Sequence, residues 1–231
     1  MITGIAPQHL LRAQAIEQAL RALANPDVAA PMRAYMKNQL SFLGIQAATR
    51  RAAVAALGAW RPPHDELLAT AHALWALPER EFRYTAVDAL ARHHKRLSLS
   101  DLPVLLALAQ REPWWDTVDA LAGVVGDVLR AALPTTPHAQ ACMDDALHHP
   151  SLWVRRIAML HQLGWREATD TSRVFAYAQA LAPDTDFFMR KAIGWALRDL
   201  ARTQPERVRQ FVDEHATTLS PLTRREATKH I

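Results

Sequence analysis

The sequence places an aromatic ring and a carboxylate four positions apart, at Trp115 and Asp119. In an α-helix this spacing puts both side chains on the same face, one above the other. A ring face and a carboxylate both favour positive charge, so the pair suits a cationic substrate or a transition state that develops positive charge. The stretch VDALA around Asp119 also occurs at residues 87–91, where Asp88 takes the matching place. Asp119 is therefore either a catalytic group or a residue that packs or caps a repeated helix.

Basic and aromatic residues recur together near the starts of the segments that we predict to be helical. If these helices stack in register, the side chains form a basic groove interleaved with rings, as expected for binding a nucleic-acid backbone. The alternative is that the arginines are solvated flank residues and that the tryptophans belong to the core. The residues are Arg50 and Arg51; Arg83 and Tyr84; Trp114 and Trp115; Trp153, Arg155 and Arg156; Arg190, Lys191, Trp195 and Arg198; and Arg224, Arg225 and Lys229.

Motifs of several other enzyme classes are missing from the sequence, which contains no HExxH, GxSxG, Walker loop or GxGxxG. The pairs His93-His94 and His148-His149 have no further metal ligands near them, and adjacent helical residues point to different faces. Cys142 is the one cysteine, which excludes a disulfide framework and a cysteine-rich metal cluster. We therefore expect no metal and no cofactor.

Helical periodicity runs through the whole chain. Apolar residues recur at three- and four-residue spacing, alanine and leucine dominate, and the alternation typical of strands is absent. Prolines divide the pattern into about twelve predicted helices of roughly 10 to 18 residues, many of which begin with a polar cap. The predicted breaks are at residues 25–26, 61–63, 77–78, 112–113, 133–137, 149–150, 182–183, 204–205 and 220–221. The sequence therefore predicts an all-α protein.

The helices also repeat. Similar openings occur around Arg83, Trp114, Leu152 and Phe187, roughly three dozen residues apart, which is close to the period of a helix-pair solenoid. We expect about six antiparallel helix pairs stacked into a superhelix, with the inner helices lining a concave basic surface.

Length and composition favour one globular domain, residues 1–231, because half of the 231 residues are hydrophobic and 22% are charged. The formal charge of +4 permits a polyanionic partner without requiring one. The N-terminus lacks the features of a signal peptide, and the clearest apolar run, residues 102–109, is too short to span a membrane. We expect a soluble, intracellular protein.

Several segments together closely resemble the bacterial DNA alkylation repair glycosylases of the AlkD type. The likeness runs from about residue 30 to the C-terminus, in order and with similar spacing. The segments are PMRAYMKN at residues 31–38 with FLGIQ at 42–46, LPEREF at 77–82, WWDTVD at 114–119, KAIGW at 191–195, and LSPLTRREA at 219–227 with KHI at 229–231.

The resemblance implies a HEAT-like repeat fold that holds duplex DNA and hydrolytically excises N3- and N7-alkylated purines such as 3-methyladenine and 7-methylguanine. Members of that family flank the lesion nucleotide with two tryptophans and an aspartate, which match Trp115, Trp195 and Asp119. The residue that matches the family's backbone-facing arginine is Arg156, and Tyr35 matches a tyrosine near the opposite strand. Further DNA contacts are expected at Gln46, Arg50, Arg190, Lys191, Arg198 and Arg225.

The chemistry that this family implies needs little acid catalysis, because an N3- or N7-alkylated purine is already a cationic leaving group. Asp119 would stabilise the oxocarbenium-like sugar and place a water, while Trp115 and Trp195 pack on the deoxyribose. A glycosylase usually flips its target base into a pocket, but the resembled family holds the lesion without one, and the resemblance therefore implies excision without base flipping. The absence of a motif for a base pocket in this sequence is consistent with that. The resemblance also implies a monomeric cytoplasmic protein that is associated with the nucleoid when it is bound to DNA. The alternative is a non-catalytic HEAT-like protein that binds DNA or a protein partner. Such relatives are expected to lose the Trp/Asp cluster, which this chain keeps.

Overall fold

The computed structural model of the chain describes residues 10–230, and their regular elements are helices apart from one isolated bridge between Ser41 and Glu79. This confirms the all-helical prediction. Two compact units follow one another along the chain, with the division between Leu97 and Ser98. Ile231 of the KHI segment and the N-terminal residues 1–9 of the predicted single domain lie outside the described residues.

The N-terminal unit has an all-helical core in which α4 packs closely on α5. Asn25 caps α2 by accepting hydrogen bonds from the backbone N–H groups of Asp27 and Val28, and Pro26 takes the first helical position. The helices are α1 (Leu11–Arg21), α2 (Pro26–Tyr35), α3 (Ala47–Ala56), α4 (His64–Trp75) and α5 (Arg80–Arg92).

The C-terminal unit contains a continuous series of packed helices, in which α7 contacts α9, α9 contacts α11 and α11 contacts α13. The helices are α6 (Leu102–Leu108), α7 (Trp115–Ala132), α8 (Ala141–Ala146), α9 (Leu152–Leu160), α10 (Thr171–Leu181), α11 (Phe187–Leu200), α12 (Pro205–Glu214) and α13 (Pro221–Ala227).

Helix boundaries follow the prolines closely but not everywhere. α9 and α11 begin at the predicted Leu152 and Phe187, whereas α5 begins at Arg80, three residues before the predicted opening. Several helices are shorter than predicted: α6 and α13 have 7 residues and α8 has 6. Closely spaced prolines explain this for α8, since Pro137 and Pro150 confine it on both sides.

A close approach of two helix backbones brings α7 and α9 together. A Cβ atom on Gly126 of α7 would lie 1.9 Å from the backbone oxygen of His161, so only glycine fits there. Val118 and Leu121 of α7 and Ile157 of α9 are fully buried. The packing of α7 on α9 sets the distance between Asp119 on α7 and Arg156 on α9.

Two further sequence expectations concern membrane-spanning helices and the single cysteine. None of the helices between residues 10 and 230 is long and apolar enough to cross a membrane. Cys142 is half-buried, and its thiol donates to the carbonyl oxygen of Ala139 at 3.1 Å.

Candidate functional site

The carboxylate of Asp119 on α7 forms a two-point ion pair with the guanidinium of Arg156 on α9. Arg156 Nε donates to Oδ1 at 2.6 Å and Nη2 donates to Oδ2 at 2.8 Å. The Arg156 side chain is 1% exposed, whereas that of Asp119 is 22% exposed. A bidentate pair of this kind fixes both position and rotation of a carboxylate. Asp119 is therefore held rigidly while part of it still faces solvent.

The same guanidinium links α9 to α11. Its Nη1 donates to the backbone oxygen of Phe188, and its carbon lies 5.2 Å from the centre of the Trp195 ring, in cation–π range. Burial raises the pKa of the Asp119 carboxyl above its ordinary value, and the hydrogen bond and charge of Arg156 counteract part of that rise. Through Arg156 the structure brings together two of the predicted catalytic residues, Asp119 and Trp195.

Trp195 is held from its other side by Glu226 of α13. The indole Nε1 donates to Glu226 Oε2 at 3.1 Å, and the same carboxylate accepts from Lys191 at 2.8 Å and Arg198 at 2.9 Å. The Lys191 ammonium also lies 5.3 Å from the Trp195 ring centre. A Cβ on Gly194 would lie 2.5 Å from Glu226 Cβ, so this glycine lets α13 approach α11 closely.

Glu226 is a residue whose role sequence reasoning missed, although it lies within the quoted LSPLTRREA segment. The pKa of its carboxyl is lowered, first by the hydrogen bond from Lys191, so it is ionised and neutralises predicted DNA-binding cations. The sequence signal that could have indicated Glu226 is an acidic residue that stands among several basic ones near the C-terminus. Its partners lie 28 to 35 positions away in the sequence, which no local pattern indicates.

Trp115 is the first residue of α7 and is half-buried, one helical turn before Asp119. Its neighbour Trp114 stands just before the helix and packs against the rings of Trp153 and Phe188, at centre distances of 6.0 and 5.1 Å. This aromatic cluster anchors the start of α7, and with it the position of Trp115.

The remaining basic residues of the C-terminal unit differ in their surroundings. Arg190 is half-buried, and its Nε donates to the backbone oxygen of Asp184 at 3.2 Å. Arg225 on α13 is exposed and forms no ion pair within the described part of the chain. Arg225 is thus the more accessible of the two for a phosphate.

In the N-terminal unit, Tyr35 and Gln46 are both exposed. Tyr35 ends α2 with 72% of its surface accessible, and Gln46 stands immediately before α3. The loop that leads to Gln46 is held by Glu81, which sequence reasoning did not single out. Its fully buried carboxylate accepts hydrogen bonds from the backbone N–H groups of residues 43, 44 and 45 at 2.9 to 3.1 Å.

Arg50, a predicted DNA contact, is only 4% exposed and is bound within the N-terminal unit. Its Nη2 donates to Asp88 at 2.8 Å, and its guanidinium carbon lies 5.2 Å from the Tyr84 ring centre. Arg51 donates to the same carboxylate at 3.1 Å. The environment of Arg50 therefore resembles that of Arg156, with a carboxylate and an aromatic ring at similar distances.

Comparison with known proteins identifies the family. A model of DNA alkylation repair enzymes matches residues 16–231. The chain belongs to this family. A solved structure from Enterococcus faecalis, described as a predicted DNA alkylation repair enzyme, has 32% sequence identity, a TM-score of 0.81, and a match that covers 90% of this chain and 96% of the other. None of the curated protein sequences matches.

Family membership confirms the resemblance to DNA alkylation repair enzymes and, with the structural neighbour, the helical-repeat fold. It also makes DNA the implied partner. Contacts run from Asp119 through Arg156 and Trp195 to Glu226, and we call these four residues the α7–α13 cluster.

Proposed function

We propose that the chain is a DNA glycosylase that hydrolyses the N-glycosidic bond of cationic N3- and N7-alkylated purines in duplex DNA. The observation that carries this proposal is the geometry of Asp119. Its carboxylate is fixed at both oxygens by a buried arginine, lies beside Trp115 on the same helix, and remains 22% exposed. A charge held in advance at the reacting centre needs no reorganisation in the transition state.

The chemical role of Asp119 follows from the carboxylate lone pairs that Arg156 does not use. Each carboxylate oxygen has two lone pairs, and the two-point pair uses one on each. The other lone pairs can accept a hydrogen bond from a water, while the negative charge stabilises the sugar as the cationic purine departs. Trp115 and Trp195 would pack on the deoxyribose, with Trp195 already positioned by Glu226.

The charges that are paired around Trp195 also support DNA binding. Three cations, Arg156, Lys191 and Arg198, pair with the two carboxylates of Asp119 and Glu226, so these pairs keep one positive charge in excess that favours phosphate. Tyr35, Gln46, Arg190 and Arg225 are further proposed DNA contacts, together with Arg50, Lys191 and Arg198 once DNA competes with their internal partners. We infer that the protein acts as a cytoplasmic monomer with one repeat domain and without flipping the base.

The experiment is incubation of the pure protein with a duplex that carries a single 7-methylguanine, followed by alkaline cleavage of any abasic site. Strand breakage at the lesion alone is the expected result. A parallel duplex with uracil should stay intact, because a neutral base is a poor leaving group without acid catalysis. A protein that binds the methylated duplex and leaves it unbroken would instead be a non-catalytic DNA-binding relative.

A further inference from the structure

A large cleft lies entirely within the N-terminal unit, between α1, α3 and the C-terminal half of α5. Its volume is about 810 Å³, within the usual range of small-molecule sites. The lining includes Arg12, Arg50, Arg51, Arg61 and Arg92. None of the residues of the α7–α13 cluster contributes to it.

The cleft has a strong excess of positive charge. Asp88 is the carboxylate among the lining residues, and it accepts hydrogen bonds from both Arg50 and Arg51. The pKa of His93 is lowered by burial and by the adjacent charge of Arg92, which keeps the imidazole neutral at pH 7. The lining residues therefore include five arginines and one carboxylate, and Glu66 adds a second carboxylate next to Trp60, which leaves an excess of positive charge that favours an anionic ligand.

Two buried guanidinium donors in the cleft lack partners. The Nε atoms of Arg12 and Arg50 form no hydrogen bond within residues 10–230, although Arg50 is only 4% exposed. A buried N–H without an acceptor is destabilising, so native proteins usually satisfy it with a ligand, an ion or water. The Nη groups of Arg12 already donate to the carbonyl oxygens of residues 54, 57 and 58, and those of Arg50 donate to Asp88 and to the Glu81 carbonyl oxygen. Arg61 and Arg92 are exposed and form no ion pair among the described residues, so these two arginines are available to an anion.

The cleft also offers an aromatic and apolar wall. Trp60 lines it with His93 packed edge-on at 5.5 Å, and the Trp60 indole N–H is fixed by Glu66 at 2.7 Å. Ile16 and Val54 complete an apolar surface. A ligand that fits such a wall has a flat ring, and one that fits the arginines carries a phosphate.

We propose that this cleft binds a nucleoside monophosphate unit, with its phosphate on Arg61 and Arg92 and its base against Trp60. The unit is either a free nucleotide or a nucleotide within a DNA single strand, since both present the same chemistry. Apart from Arg50, which is also a proposed DNA contact, this site shares no residue with the one proposed for base excision, and each proposal can fail independently.

The test is isothermal titration of the full chain with deoxyadenosine monophosphate. We expect saturable binding that is at least tenfold tighter than that of inorganic phosphate or of deoxyadenosine alone, because each covers only one half of the site. The double variant R61Q/R92Q should weaken nucleotide binding at least tenfold. Arg130→Gln is the matched control, an exposed arginine on α7 that should leave binding unchanged. Trp60→Leu should weaken binding of the nucleotide but not of phosphate.

Two results would overturn the proposal: no saturable nucleotide binding, or binding that R61Q/R92Q does not weaken more than Arg130→Gln does. A short unmodified single strand that displaces the nucleotide assigns the cleft to DNA strands, and failure to displace it assigns the cleft to free nucleotides. Excision of 7-methylguanine by R61Q/R92Q, measured at saturating enzyme, reports separately on the repair activity.

Discussion

Asp88 and Asp119 occupy the same place in two copies of the VDALA stretch, and each pairs with a buried arginine of another helix. The partner of Asp88 precedes it by 38 positions, whereas the partner of Asp119 follows it by 37. Arg50 and Arg156 are 4% and 1% exposed, and each lies 5.2 Å from an aromatic ring centre. The repeat thus preserves an aspartate that binds arginine, while the direction of the pairing changes.

Because Asp119 pairs with the buried Arg156, removing the charge of Asp119 should affect both the stability and the excision rate. Asp119→Asn is nearly isosteric, but it leaves Arg156 buried without a counter-charge, so stability should fall by about 1 to 3 kcal/mol. The excision rate per folded molecule should also fall roughly tenfold or more, equivalent to about 1.4 kcal/mol of transition-state stabilisation. Single-turnover excision of 7-methylguanine, corrected for the folded fraction from urea unfolding, measures both effects.

The matched control is Asp127→Asn, which removes a charge from an exposed position on the same helix. It should change neither rate nor stability. If Asp119→Asn were less stable yet retained the full rate per folded molecule, Asp119 would serve only to pack α7 on α9.

The decrease of the excision rate at acidic pH should report the raised pKa of Asp119. As pH falls through that pKa, which lies above the ordinary 3.8, the carboxylate becomes neutral and the rate decreases. The rate measured from about pH 8 down to 5 should therefore begin to fall earlier than for an ordinary aspartate. This decrease should be absent in Asp119→Asn. An equally large decrease in the rate of that variant would assign the titration to another group.

Glu226 allows a test of the two cations that it neutralises. Glu226→Gln keeps an oxygen that can accept the Trp195 indole N–H but releases Lys191 and Arg198 from their counter-charge. Duplex affinity should rise, and the log-log salt dependence should steepen by about 0.9 for each additional phosphate contacted. Glu226→Ala also loses the indole acceptor, so its excision rate should fall while that of Glu226→Gln is retained.

Glu214→Gln controls for net charge, because Glu214 is exposed on α12 and pairs with Gln210. Equal salt slopes for the Glu214 and Glu226 variants would show that Lys191 and Arg198 do not reach phosphate.

His161 should make the folded state sensitive to mild acid. Burial lowers its pKa to about 4, while Nδ1 donates to the Ala158 carbonyl oxygen and Nε2 accepts from Gln140. The unfolded chain takes up this proton below about pH 6.5, so the free energy of unfolding should fall as pH decreases from 6.5 to 4, by about 3 kcal/mol in total. Urea unfolding at several pH values measures the slope.

His161→Gln should flatten this dependence between pH 6.5 and 4, whereas His138→Gln, at an exposed position, should not. An unchanged slope in His161→Gln would place the acid sensitivity elsewhere.

Local features of this protein could be predicted from its sequence. The helical periodicity, the proline boundaries and the openings of α9 and α11 depend on interactions within a few residues, which the sequence contains directly. The common face of Trp115 and Asp119 is of the same kind, because both lie on α7. The family resemblance added the third residue, Trp195, which local spacing could not connect to them.

The partners of charged residues were decided only by the tertiary structure. Arg156 and Lys191 have the sequence context of solvent-facing DNA-binding cations, yet one is buried against Asp119 and the other is neutralised by Glu226. These contacts join residues 35 and 37 positions apart, on helix pairs that approach closely at Gly126 and Gly194. Sequence spacing determines which side chains share a helix face. The distance and angle between helices determine which charges meet, and these come from the packing of many buried side chains at once.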